Sequence, residues 1–321
     1  MSIFQGIKNY MQKNLLQRDK SWKSFKNFIT GHWELYLFLI PGLIIMILFK
    51  VLPISKITIA FKQFKPLLGL SASKWVGLAH FRRLFSDPHV YRVLRNTLVI
   101  NFLQILFVTP SAMFLAILIN EITSTWVKRS IQTIVYIPHF FTWVVVYSVF
   151  YILFGSTGIV NSITQSAGLK PITFFMRPGW FRFLIVSSEM WHTVGWGTIV
   201  YLAAITGIDS QLYEAAVIDG ANKFTQIMRI TIPNLMPTFV LMVSIRLGYI
   251  MTSGFGQMLV FYNPTVYKVG DIISTYVYRM GLGQADFSYA AAVGLMNSLV
   301  GLLAVLGANR LSIKFTGKSV W

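Results

Sequence analysis

The fold of this 321-residue chain is decided by the segment Tyr213-Glu214-Ala215-Ala216-Val217-Ile218-Asp219-Gly220-Ala221-Asn222-Lys223-Phe224. Residues 214–219 predict a short helix, in which the small Ala215 and Ala216 allow another surface to approach closely. Gly220 suits the left-handed conformation that ends a helix, and a second helix is expected to follow it and to end at Pro233. The segment therefore predicts a rigid elbow between two apolar stretches.

The second helix of this elbow has its own apolar pattern. Phe224, Ile227 and Ile230 recur at three-residue spacing, so we expect them to hold the helix against the rest of the protein. The alternative is a plain amphipathic turn at a membrane surface. Such a turn does not require this order of small, acidic, glycine and proline residues.

The composition on both sides of the elbow points to a membrane. The chain is 55% hydrophobic and 12% charged, with a mean hydropathy of +0.61 and a formal net charge of +18. Soluble domains carry about 25% charged residues, which excludes an ordinary soluble enzyme and a nucleic-acid-binding module. The absence of cysteine excludes thiolate metal sites and cysteine catalysis. We therefore expect an all-α, polytopic membrane protein with no nucleic-acid partner.

Six stretches are long and apolar enough to cross a hydrocarbon core, which takes about 20 residues each. The predicted spans are 34–54, 95–119, 131–154, 182–206, 236–261 and 287–309. Prolines and small residues within them favour helices that pack around a transport path, and a packed bundle without a path is the alternative.

The cations give an orientation with both termini in the cytoplasm. Residues 1–33 form a basic amphipathic segment expected to contact lipid, 34–310 form the six-span domain with its elbow loop at 207–234, and 311–321 form a tail. The first outer loop breaks the topology rule because it carries seven cations: Lys56, Lys62, Lys65, Lys74, Arg82, Arg83 and Arg92.

The elbow segment resembles the EAA loop of the permeases of binding-protein-dependent ABC importers. The resemblance implies a multi-pass permease of the bacterial cytoplasmic membrane, in which the elbow is a coupling helix that docks on an ATPase. The residues implied in coupling are Glu214, Ala215, Ala216, Asp219, Gly220, Ala221 and Pro233.

The implied partners follow from the same resemblance. They are two cytoplasmic ATPase subunits, a second and different permease chain, and an extracytoplasmic binding protein. The chain itself is not an enzyme and binds no cofactor, because its only Gly-Lys-Ser, at 317–319, has Ser312 where a nucleotide-binding loop needs glycine. ATP and Mg²⁺ would be bound by the ATPase subunits.

Three further motifs are similar to the oligosaccharide permeases of the maltose-importer type, a subclass that includes alginate importers. They are Tyr262-Asn263-Pro264, Asp271-Ile272-Ile273-Ser274-Thr275-Tyr276-Val277-Tyr278-Arg279 and Ala308-Asn309-Arg310. Arg246 departs from the pattern, because a neutral residue is expected at that depth of the fifth span.

Ionisable groups inside a membrane are costly and usually functional. The candidates for a substrate path are Glu189, Trp191, His192, Trp196, Arg246 and Asn297. Glu189 and Arg246 are predicted at comparable depth, so they either contact the sugar or pair with each other to fix the packing. The histidines have no metal-ligand spacing, and no metal site is expected.

The substrate remains open at this level. An acidic, uronic-acid oligosaccharide would explain the basic outer loop and Arg246, and a neutral oligosaccharide is the alternative. An ion-coupled secondary transporter is a further alternative, but it would leave the elbow unexplained. A membrane-embedded enzyme would need closely paired catalytic groups at one depth, and the ten acidic residues provide none.

Overall fold

The structure is a computed structural model that describes residue 31 and residues 33–316. The described residues are almost entirely helical, and their β-structure is one antiparallel hairpin of two-residue strands. This confirms the predicted all-α class. The segment predicted over 1–33 falls largely outside the described residues, as do residues 317–321 of the predicted tail, whereas residues 311–316 continue the last helix.

The chain divides into two compact units, one up to Thr58 and one from Ile59 onwards. Helix α1, Trp33–Met46, lies in the first unit and continues through a π-helical turn, Ile47–Val51, into a 3₁₀ helix, Leu52–Phe61, whose residues from Ile59 onwards belong to the second unit. The side chains described in α1 are exposed. A helix that is apolar on all faces and exposed along its length suits a lipid environment.

The second unit continues with the hairpin and contains the three longest α-helices of the described residues, which have 33, 29 and 30 residues. Its first elements are β1 Lys62–Gln63, α2 Gly69–Ala72, β2 Lys74–Trp75, α3 Ala79–Ser86, α4 Pro88–Asn120, α5 Thr125–Tyr136, a 3₁₀ turn Ile137–Phe140, α6 Trp143–Phe154, α7 Ile159–Ser166 and α8 Pro178–Thr206. The later elements are α9 Ser210–Ile218, α10 Lys223–Gln226, a π-helical turn Ile227–Thr231, α11 Ile232–Gly248, α12 Phe255–Phe261, a 3₁₀ turn Pro264–Val266, α13 Tyr267–Gly270, α14 Ile273–Tyr278, a π-helical turn Arg279–Gly283 and α15 Phe287–Thr316.

Five helical segments of the described chain are long and apolar enough to cross a membrane. They are Trp33–Phe61, Pro88–Asn120, Trp143–Ser166, Lys223–Gly248 and Phe287–Lys314. Helix α8, which corresponds to the predicted span 182–206, has 29 residues and is not among them. Its ionisable residues Arg182, Glu189 and His192 lower its hydropathy, so the number of six spans stays a prediction.

Two of the predicted spans are interrupted. The span predicted over 131–154 breaks between Tyr136 and Trp143, where Pro138 opens a 3₁₀ turn. The span predicted over 236–261 breaks after Gly248, and the chain turns until Gly254, whose φ of 84° precedes α12. Proline cannot donate a backbone hydrogen bond and glycine tolerates a positive φ, so these residues permit the breaks.

The centre of the second unit is the pair α4 and α8, which run in the same direction. Near their starts, the side chain of Arg182 donates to Asn96 Oδ1 at 3.2 Å. Further along, a methyl group on Gly197 would lie 3.0 Å from the Cβ of Ala112. The two helices therefore stay in contact from one end of the bundle towards the other.

Helix α5 approaches α8 even more closely, at Gly195. A Cβ on this glycine would lie 1.9 Å from the carbonyl oxygen of Val135. The glycine is therefore required by close backbone contact, as small residues often are between membrane helices.

The variant Gly195→Ala is expected to lose about 1–3 kcal/mol of stability, because the backbone of α5 must move away from the new methyl group. Thermal unfolding followed by fluorescence-detected size exclusion would measure this loss. Gly294→Ala is the matched control, since it is also helical and a Cβ there meets nothing within 4 Å. Equal unfolding temperatures for both variants would contradict the close contact.

Candidate functional site

The elbow predicted from the sequence is present as two helices joined by a tight turn. The side chain of Asp209 caps α9 by accepting from the Gln211 N–H at 2.9 Å. At the other end Gly220 has a φ of 79°, and the Ala221 N–H donates to the Ala216 carbonyl at 2.8 Å. This is the Schellman arrangement, which needs a residue that tolerates the left-handed conformation. The predicted role of Gly220 in ending the helix is confirmed.

The outer surface of the elbow is apolar around one carboxylate. Glu214 and Ala215 are exposed, and among the described residues no hydrogen bond or ion pair involves the Glu214 side chain. Val217 is 62% exposed, Ile218 is 86% exposed and Phe224 is 70% exposed. Exposed apolar side chains beside an unpaired charge are typical of a surface that another protein covers.

Two details of the elbow differ from the sequence prediction. Phe224 does not pack against the bundle, whereas Ile227 contacts a buried cluster that includes Leu235. Pro233 does not end the second helix, which runs from Lys223 to Gly248 through the π-helical turn. Such a turn shifts the hydrogen-bond register, so a proline near the start of the next α-helical stretch is tolerated.

Two polar contacts hold the elbow in place, one within the elbow itself and one to the loop after α4. The hydroxyls of Tyr213 and Thr231 lie 2.9 Å apart, and Lys223 Nζ lies 3.8 Å from Glu121 Oε2 in the loop after α4. The elbow is thus held at the end of the bundle where α4 and α8 terminate. At the opposite end of the bundle, which we call the distal end, the hairpin, α3 and residues 262–286 meet.

Glu189 and Arg246 meet in the interior of the bundle, as the pairing hypothesis predicted. Arg246 Nη1 lies 3.6 Å from Glu189 Oε1, and Arg246 Nη2 lies 3.5 Å from Thr193 Oγ1. Strong charge-assisted hydrogen bonds are about 2.7–2.9 Å long, so this pair is loosely held. The Glu189 side chain is 14% exposed and that of Arg246 is 29% exposed.

A polar cavity of about 200 Å³ adjoins this pair. Its lining is contributed by α4, α8, α11 and the turn before α12, and consists of Asn101, Gln104, Ile105, Glu189, Ile245, Arg246, Tyr249, Ser253 and Gly254. Asn101 accepts a hydrogen bond from Ser253, and Gln104 donates to Gln257 at 3.2 Å. Ser253, Gln257 and Tyr249 were not predicted from the sequence, because the break in the fifth span was not predicted.

The remaining path candidates of α8 lie in an aromatic cluster beside the break between α5 and α6. His192 contacts the Phe141 carbonyl at 3.1 Å, and its ring centroid lies 4.4 Å from that of Trp143. Trp196 is 48% exposed and stacks on His139 with a centroid distance of 4.6 Å. His139 was not among the candidates, although the adjacent proline marks the break that brings it here.

Trp191 and Asn297 stand apart from both groups. Trp191 lies against Phe141 and Phe150, with centroid distances of 6.1 and 6.2 Å. Asn297 donates to the Met251 carbonyl at 3.1 Å and lines a separate, mainly apolar cavity of about 590 Å³. The structure therefore does not bring Asn297 together with Glu189 and Arg246.

The distal end is fixed by a network around Asp87, the N-cap of α4. Its carboxylate accepts from Tyr276 at 2.8 Å and from Tyr289 at 3.0 Å, while Arg83 pairs with Asp286 at 2.6 Å. Burial raises the pKa of Asp87, but hydrogen bonds from the His89 N–H and the two tyrosines outweigh it and lower that pKa. Arg83, one of the seven cations predicted in the outer loop, is thus paired with Asp286.

The comparisons with known proteins agree on one family. The family model described as "Binding-protein-dependent transport system inner membrane component" matches residues 108–314. The chain is 42% identical over 282 residues to Protein LplB of Bacillus subtilis (strain 168), with 88% of this chain and 89% of that protein covered. It is 41% identical over 288 residues to the polygalacturonan/rhamnogalacturonan transport system permease protein YteP of the same organism, covering 89% and 90%.

A solved structure agrees with these relatives. A chain in the crystal structure of a bacterial ABC transporter involved in the import of the acidic polysaccharide alginate superposes with a TM-score of 0.83. It is 39% identical, and the alignment covers 92% of this chain and 99% of that one. A second crystal structure, of the alginate transporter with an alginate pentasaccharide-bound periplasmic protein, matches with a TM-score of 0.82.

The distal network gives a pH-dependent prediction. The lowered pKa of Asp87 means that its carboxylate stabilises the fold above the unfolded pKa of about 3.9, and that this contribution is lost as the pH falls through the folded pKa. Asp87→Asn should therefore unfold at a lower temperature than wild type at pH 7, and the gap should close in strong acid. Asp219→Asn is the control, because that side chain is exposed and should show no gap. A gap that persists unchanged in strong acid would exclude the carboxylate as its source.

Proposed function

Because this chain belongs to the binding-protein-dependent transport system inner membrane component family, we propose that it carries an acidic oligosaccharide across the bacterial cytoplasmic membrane. The chain is a sugar permease of an ABC importer, with relatives and a fold neighbour of that type. The finer proposal concerns the charge of the sugar. The observation that carries it is Arg246, a cation that borders an internal polar cavity and is loosely paired.

The loose pair gives Arg246 a way to receive a substrate carboxylate. Its distance of 3.6 Å from Glu189 leaves the guanidinium with unsatisfied donors, and arginine has five N–H groups. A uronate carboxylate would compete with Glu189 for these donors, and the side chains of Asn101 and Gln104 would bind sugar hydroxyls. Once the sugar leaves, Glu189 again neutralises Arg246, so the empty path carries no isolated charge.

The names of the relatives support an acidic substrate. The structural neighbour imports the acidic polysaccharide alginate, and the 41% identical permease is named for polygalacturonan and rhamnogalacturonan. Trp196 in the aromatic cluster and Trp191, which lies against Phe141 and Phe150, would bind sugar rings whatever their charge, which keeps a neutral oligosaccharide as the second candidate.

The basic distal end fits the same substrate. Lys65, Lys74 and Arg82 are exposed, and the ion pairs of the described residues do not include them. Fixed positive charge at the mouth of a path raises the local concentration of an anion and its rate of arrival. It would also suit an acidic rim on the binding protein that delivers the sugar.

Energy would enter at the elbow. We propose that Glu214 pairs with a basic residue of a cytoplasmic ATPase subunit, while Ala215, Ala216 and the exposed Val217 and Ile218 fill its groove. Closure of the ATPase dimer would then move the bundle between outward-open and inward-open states. Reversing a 1:99 population takes about 5.5 kcal/mol, which ATP binding and docking would supply together. A second, different permease chain would complete the complex.

The charge of the substrate is tested by Arg246→Gln in the assembled transporter. Losing a hydrogen bond to a charged group costs about 1.5–3 kcal/mol, so uptake of an oligogalacturonate at limiting concentration should fall roughly ten- to hundredfold. Uptake of a malto-oligosaccharide of equal length, if measurable, should change little. Competition between the two sugars for uptake by the wild-type complex measures the preference directly. Equal losses for both sugars, or a wild-type preference for the neutral one, would refute the acidic substrate.

Coupling is tested at Glu214 and Gly220. Glu214→Arg reverses the proposed ion pair and Gly220→Val forces a branched side chain to a φ of 79°, so either variant should abolish uptake while ATP hydrolysis persists. Both activities would be measured in proteoliposomes. Gly168→Val is the matched control, with a φ of 75° and equally open surroundings in the loop before α8. Wild-type uptake in both elbow variants would rule out the coupling role.

A further inference from the structure

A groove of about 340 Å³ runs between α4 and α8, on a face away from the polar cavity. Its walls are apolar and consist of Leu103, Phe107, Phe183, Val186 and Met190. Ser187 is also in the wall, but its hydroxyl donates to the Phe183 carbonyl at 2.7 Å within its own helix. The groove therefore offers a ligand no free hydrogen-bonding group along its length.

One end of the groove is strongly basic. Arg182 lines it and uses its guanidinium to contact Asn96 Oδ1 at 3.2 Å and the Val269 carbonyl at 3.5 Å, which leaves further N–H groups unused. Arg95 is exposed on α4 and directly precedes Asn96, the residue that accepts the hydrogen bond from Arg182. Among the described residues, neither arginine has a carboxylate within ion-pair distance.

Along the axes of α4 and α8 the two arginines come first, and the apolar walls of the groove follow. Because α4 and α8 run in the same direction, both arginines lie towards the distal end and the groove extends from them into the bundle. At about 1.5 Å per residue, Phe107 lies roughly 18 Å below Arg95, and Met190 lies roughly 12 Å below Arg182. The site is therefore positive at the membrane surface and apolar at membrane depth.

We propose that this groove binds an anionic phospholipid, with the phosphate between Arg95 and Arg182 and an acyl chain against Phe107, Phe183 and Met190. A phospholipid has this order of charge and hydrocarbon, and two unpaired arginines favour a headgroup with a net negative charge. A sugar does not fit, because the walls provide no polar partner. The site does not depend on which sugar the permease carries.

The charge requirement is tested by lipid retention on the purified transporter complex. The complex, in detergent containing equal amounts of phosphatidylglycerol and phosphatidylcholine, would be analysed by native mass spectrometry. Wild type should retain phosphatidylglycerol preferentially. Arg95→Gln should reduce that preference about fivefold, as expected for removing one cation near a lipid headgroup. Arg177→Gln is the matched control: it removes an exposed cation at the same end, outside the groove, and should keep the preference.

The acyl-chain requirement has a separate test. Ser187→Leu fills the groove without changing its charge and should lower retention of both lipids. Ser148→Leu is its control, because Ser148 is an exposed serine on α6 that likewise bonds to its own helix, at the Val144 carbonyl. Preserved phosphatidylglycerol retention in Arg95→Gln or in Ser187→Leu would overturn the proposal.

A competing occupant would be a second polypeptide of the complex. The sequence has no cysteine, so Ser187→Cys introduces a unique thiol into the groove. Reaction with a maleimide-bearing phospholipid in nanodiscs would support the proposal. Efficient short-range crosslinking of this thiol to a partner permease would show that protein fills the groove and would overturn it.

Discussion

The requirement that polar groups within hydrocarbon find partners inside the protein governs the whole bundle. Helix α8 illustrates it, since its arginine, glutamate and histidine each meet another segment: Arg182 meets Asn96, Glu189 meets Arg246 and His192 meets the Phe141 carbonyl. These contacts decide which helices are neighbours. They also agree with the position of α8 at the centre of the bundle, where α4 and α5 cover it.

The sequence was sufficient for the class of fold, the elbow and the comparable depth of Glu189 and Arg246, because each depends on a local pattern or on depth along a span. It was not sufficient for the breaks at Pro138 and Gly254. A proline is tolerated in a membrane helix whenever neighbours satisfy the backbone, and Pro233 is an instance in this chain. Whether a proline bends, breaks or leaves a helix intact depends on contacts distant in sequence, which a single sequence does not contain.

The cavity residues that were not predicted from the sequence were missed for the same reason. Ser253 and Tyr249 reach the cavity only because the chain turns after Gly248, and a continuous helix would have oriented them differently. Phe224 was wrongly expected to pack inward, because its spacing from Ile227 assumes an ideal helix and the turn that follows it is π-helical. The spacing of apolar residues thus predicted the regular helices well, whereas the candidate functional residues lie where the helices are irregular.

The continuous helix that leaves the elbow has a mechanical consequence. It runs from Lys223 to Gly248 without interruption. Arg246 therefore lies near the end of this helix that is far from the elbow, roughly 35 Å from Lys223. The turn at 249–254 follows directly after this helix and separates it from α12. A small tilt of this long helix at the elbow would therefore displace Arg246 sideways at its other end. The distance between Arg246 and Glu189 would then report the nucleotide state of a partner on the opposite side of the membrane.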